Sequence, residues 1–189
     1  DDIACVTITP GHPDQIAIVK ALNKFYKRNI DIGASKYDKE KRSSNPFHKE
    51  MIKILGSDEF LSEPNDVGHE VINKNFNSFL HSYDFIVLGP LTNIGNFIKA
   101  YSPNLKACNA TMQGGFLPCD NEKFKGLESC PTFNLNGDRK AAETFLNANF
   151  YSRNMVGKNV GHFKFIFDRS KLELFNTDSL MFKAFNTFL

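Results

Sequence analysis

Residues 84–93 read DFIVLGPLTN, with a solid apolar run from Phe85 to Leu88 that Gly89 and Pro90 stop. A short run of this kind, bounded by turn residues, reads as a strand buried on both faces, as in a parallel sheet. Before it, Val71, Ile72, Phe76, Phe79 and Leu80 recur at the spacing of one helix face. After it, Ile94 to Ala100 are helical in pattern, and Leu105 to Met112 read as a strand ending at Gly114-Gly115. Helix and strand alternate around this stretch.

The alternation extends to both sides. Ile3 to Thr9 (IACVTIT) is a β-branched run closed by Pro10 and Gly11, and Ile16, Val19, Ala21, Leu22 and Phe25 behind it lie at helical spacing. Ile30 to Ile32 is a second brief strand, a polar loop runs from Ala34 to Pro46, and His48 to Leu55 reads as a short helix. Beyond a loop from Phe116 to Pro131, Asp138 stands where a helix N-cap is wanted, before an apolar face of Ala141, Ala142, Phe145 and Leu146. Met155 to Val160 and Phe163 to Phe167 are further strands, and the segment with Leu180, Phe182 and Phe185 is helical. The expected class is α/β, a mostly parallel, Rossmann-like sheet with helices on both faces. We expect one domain over residues 1–189.

Composition narrows the function classes. A chain of 189 residues, 41% hydrophobic and 23% charged, can bury a core without metal or disulfide staples. No run approaches the length of a membrane span, and the start lacks a basic-then-apolar leader. Basic and acidic residues nearly balance, at 23 against 21, so no nucleic-acid footprint is expected. The densest charge cluster, KYDKEKR (36–42), holds two acidic residues and reads as a solvated loop, with an anion-binding strip as the alternative. Cys5, Cys108, Cys119 and Cys130 form no CxxC pair, which favours reduced thiols and an intracellular location, with a Cys119–Cys130 disulfide as the alternative. His48, His69 and His81 fall in polar stretches and are expected at the surface. The chain starts at Asp1 without an initiator Met, as a processed product or an internal fragment would.

In an open α/β sheet the ligand lies beyond the carboxyl ends of the strands. Those ends carry TPGH (9–12), GPLTN (89–93), QGG (113–115) and NVGH (159–162). Each is either an ordinary tight turn or a place where backbone approaches a ligand. No GxGxxG, Walker A or GxSxG pattern occurs, which lowers the dinucleotide, nucleotide-triphosphate and hydrolase-elbow readings.

GPLTN (89–93), QGG (113–115) and TFNLNGDRKAA (132–142), in this order, resemble the inosine-uridine-preferring nucleoside hydrolase family. VTITPGH (6–12), ALNKFYKRNIDIGAS (21–35) and NVGH (159–162) are similar to further strand ends of that family, so the resemblance covers roughly residues 3–168. It implies hydrolysis of a ribonucleoside N-glycosidic bond, with Ca2+ holding the ribose hydroxyls and lowering the pKa of a bound water. It also implies roles for single residues. Thr92 would offer a backbone carbonyl to the metal, Asn134 would bind the ribose, and His162 could protonate the leaving base. His12 and Thr132 stand at sugar-contacting positions where the family carries Asn and Glu, and Gly126 replaces a further family Asn.

The family's DxDxGxDD cluster has no counterpart, and neither does its last metal carboxylate after Asp168. Asp1-Asp2 lies too close to Gly11 to leave room for the intervening helix and strand, and reads as a strand entry, with a remnant of the cluster as the alternative. Ca2+ binding by this chain is therefore doubtful, and the chain alone is expected to be inactive. Two readings stay open. Either the chain is part of a nucleoside hydrolase whose carboxylates lie elsewhere, with a nucleoside or ribose as ligand, or it is a degenerate relative kept for assembly. Under the second reading a protein partner covers an open sheet edge near Ile3, Cys5 and Ile8.

Overall fold

The computed structural model describes residues 3–36, 46–61, 65–77, 82–118 and 124–163. The loop cluster 37–42, Cys119, the Phe163–Phe167 strand beyond its first residue and the C-terminal helix lie outside the described residues. All strand pairing is parallel. Strands β1 (Cys5–Ile8), β2 (Asp31–Ala34) and β3 (Asp66–Val67) form one sheet, and β4 (Asp84–Val87), β5 (Asn109–Gln113) and β6 (Ser152–Val156) form another. The class is α/β, as expected, but the single sheet is resolved into two three-stranded ones. Among the described residues β1 and β4 are each the end strand of their sheet.

The connecting helices follow the apolar spacing. α1 (Pro13–Phe25) buries Ile16, Ala17 and Ala21, α2 (Pro46–Leu55) buries Met51 and Ile52, and α4 (Thr92–Tyr101) buries Ile94 and Phe97. Asp138 caps α6 (Arg139–Asn147), its Oδ1 accepting from the Ala141 N–H at 3.1 Å. That helix buries Ala141, Ala142 and Phe145, while Leu146 is 38% exposed. No helix among the described residues is long and apolar enough to cross a membrane.

Four expectations are corrected. The stripe from Val71 to Leu80 does not make one helix, since α3 (Gly68–Asn75) ends before Phe76. Tyr83 stops it there. Its hydroxyl donates to Asn75 O and accepts from Asn77 N, and Phe76 turns inward to meet Tyr83, Phe85 and Phe97. The strand expected at 105–112 starts only at Asn109, because Leu105 and Cys108 close a turn through a Cys108 N to Leu105 O bond. The strand expected at 155–160 is β6, and α7 (Lys158–Phe163) follows it, so NVGH is helical rather than a strand end. Finally, β4 is covered on one face only. Phe85 and Val87 pack on the core, while Ile86 on the other face is 72% exposed and Leu88, just past the strand, 75%.

The main core joins α4, α6 and the second sheet around Phe97 and Phe145, which are 0% and 1% exposed. α4 approaches α6 closely at Gly95, where a Cβ would stand 2.6 Å from Ala141 Cβ and 2.7 Å from its Cα. An alanine inside a helix is worth about 1 kcal/mol over glycine. A methyl forced against backbone costs about 1–3 kcal/mol. The clash is the larger effect, so Gly95→Ala is expected to lower stability in a urea unfolding curve, opposite in sign to its helix propensity.

Cys5 gives a second check. Burial first, and then the Asp31 carboxylate beside it, push its thiol up to about 11. The thiol is the unreactive form. At pH 8 Cys5 is expected to resist iodoacetamide, with labelling rising only as pH approaches 11, as read by mass spectrometry of the peptide.

Candidate functional site

The strand ends converge through side-chain amides. Asn93, 4% exposed at the start of α4, donates from Nδ2 to Ile8 O and to Thr9 Oγ1, at 3.0 Å each. It thereby ties the turn after β4 to the end of β1. Ser35, just past β2, donates its N–H to the same Ile8 carbonyl at 2.9 Å. Gly68 at the start of α3 is pressed on Asn93, a Cβ there meeting Oδ1 at 2.4 Å, so only glycine lets this helix approach.

Asn134 makes the matching tie in the second sheet. It is 5% exposed in α5 (Phe133–Asn136), with Nδ2 at 3.2 Å from Leu88 O, 2.7 Å from Gln113 O and 2.7 Å from Gln113 Oε1. Thr132, 8% exposed, accepts the Gly115 N–H on Oγ1 at 3.1 Å. Gly114 N donates to Val156 O and Lys158 N to Gly115 O, which carries the same belt to β6 and α7. Asn134 and Thr132 are thus each bonded to backbone.

His12 lies in the turn between β1 and α1 and caps α1. Its Nδ1 accepts from Asp14 N at 3.0 Å, and Gln15 Oε1 accepts from His12 N at 3.4 Å. The two clusters are therefore distinct. Asn134 and Thr132 gather at the QGG turn, and His12 stands at the head of α1. Thr92 is the first residue of α4, next to Asn93. His162 falls in α7, and its side chain lies outside the described residues.

His48 was expected at the surface and is instead half-buried on α2, with an Nδ1 that has no solvent access and no hydrogen-bond partner. Its ring centroid is 6.2 Å from that of His12. Burial foremost, and then the His12 imidazole, hold its pKa below the ordinary histidine value. No local signal marks this residue, because 36 residues separate it from His12 and only the path through β2 and α2 returns it there. His12, Asp14 and His48 are the one group of three ligand-bearing side chains gathered among the described residues.

Ca2+ takes about six to eight oxygen ligands. Two imidazoles and one carboxylate, the one ligand cluster among the described residues, do not fit it. No step through Ca2+ follows from these residues.

No family model matches the chain, and no curated relative matches it. Among solved structures, the chain resembles the crystal structure of an inosine-uridine preferring nucleoside hydrolase from Bacillus anthracis, with a TM-score of 0.65 at 15% sequence identity. The match covers 92% of this chain and 61% of that one, so the chain spans less than two thirds of the hydrolase's length. At this identity the likeness is one of fold, and the fold is nucleoside-hydrolase-like.

Proposed function

We propose that this chain is a nucleoside-hydrolase-like domain that does not cleave ribonucleosides on its own. The observation that carries the reading is the engagement of Asn134, whose Nδ2 is within hydrogen-bond distance of three acceptors on Leu88 and Gln113. An amide so placed holds two strand ends together and has no donor left for a ribose hydroxyl. Thr132 and His12 are occupied in the same manner, one by Gly115 N and the other by Asp14 N. Among the described residues no cluster of carboxylates stands ready to hold a Ca2+ and to take the proton of an attacking water, so general-base attack on the glycosidic carbon has no support there.

The test is an assay of inosine and uridine cleavage with millimolar Ca2+, read as released ribose. None above buffer is expected, and turnover would overturn the proposal. In the same experiment Asn134→Ala is expected to lower stability by about 1–3 kcal/mol, because its buried acceptors lose their donor. A ribose-binding Asn134 would leave stability nearly unchanged.

A second reading is favoured by the exposure of Ile86 and Leu88 at 72% and 75%, on and just past the end strand β4. An open parallel edge with apolar side chains suits strand addition by another polypeptide, which makes the chain an assembly subunit. Light scattering separates the two: under the assembly reading the isolated chain self-associates as concentration rises, and a stable monomer at high concentration contradicts it.

A further inference from the structure

We propose that His12, Asp14 and His48 form a binding site for a first-row divalent transition cation, with Zn2+ as the simplest occupant, at the amino-terminal end of α1. A nitrogen of each histidine and a carboxylate oxygen of Asp14 lie within 4.8 Å of one another. His12 Nδ1 and Asp14 Oδ2 are 3.6 Å apart, close to the separation of about 3.4 Å between neighbouring ligands of tetrahedral zinc.

The second observation is the His48 Nδ1 lone pair, which is shut off from solvent with no partner. A buried polar atom left unpaired is unfavourable, and a cation between α1 and α2 gives it a ligand role. Coordination by His12 Nδ1 replaces its bond to Asp14 N, while the Gln15 half of the cap is untouched.

The donor chemistry selects the ion. Two imidazoles and one carboxylate suit zinc and its first-row neighbours, whereas Ca2+ and Mg2+ prefer oxygen throughout. Three protein ligands leave a fourth position open to water or to a ligand oxygen, beside the strand ends. The site stands whether or not the chain cleaves nucleosides.

The experiment is calorimetric titration of the chelator-treated full chain with Zn2+, with Ca2+ as control and Co2+ as a spectroscopic probe. One equivalent of Zn2+ bound at micromolar or tighter affinity is expected, undisturbed by millimolar Ca2+. His48→Ala breaks no hydrogen bond at Nδ1, and Asp14→Asn keeps the side-chain shape. Each is expected to weaken Zn2+ binding by at least about tenfold, since loss of even an outer-shell partner does that much. The Co2+ complex should show d–d bands of low coordination number without a thiolate charge-transfer band. Absence of stoichiometric binding, unchanged affinity in either variant, or a thiolate band placing the metal on cysteine would overturn the proposal.

Discussion

Asn93 projects one amide nitrogen from the turn after β4 into the end of β1, where it reaches both Ile8 O and Thr9 Oγ1. Among the described residues no backbone ladder joins the two sheets, which are bridged by this amide, by α3 packing on β1, β2 and α4, and by Cys5 of β1 against the main core. The glycine at position 68 follows from the same constraint, because α3 can lie against β1 and α4 only if its first residue clears Asn93. A buried side-chain donor satisfied twice is a directional joint, and it fixes how the strand ends face one another.

The class of fold was legible because the turn residues are unambiguous. Gly89-Pro90 and Gly114-Gly115 end strands, and Asp138 caps a helix, each by local chemistry that tertiary packing does not override. What was not legible depends on contacts distant in sequence. The early end of α3 is set by the Tyr83 hydroxyl, eight residues from the carbonyl it binds. The open side of β4 cannot be read from DFIVL, since a solid apolar run looks the same whether one face or both are covered. At the candidate site, His12 was visible as a turn residue but its partner His48 was not, because proximity came from the path of the chain.

Of the turns that resemble nucleoside hydrolases, TPGH, GPLTN and QGG lie at or just past the ends of β1, β4 and β5, while NVGH is helical. Asn134, Thr132 and His12 each complete a hydrogen bond to backbone.

The parallel register also bears on the order in which the chain can assemble. Within the first sheet Cys5 meets Asp31, and within the second Asp84 meets Asn109, so both ladders start from loops of about 25 residues. The bond from Asn93 to Ile8 spans 85 residues. Closing that larger loop from an unstructured chain costs about 1 kcal/mol more in entropy. Each half therefore gains its own ladder, α4 and α6 included for the second, ahead of the joint between them. The amide that positions the strand ends is thus a late contact in folding, formed between two parts that already have shape.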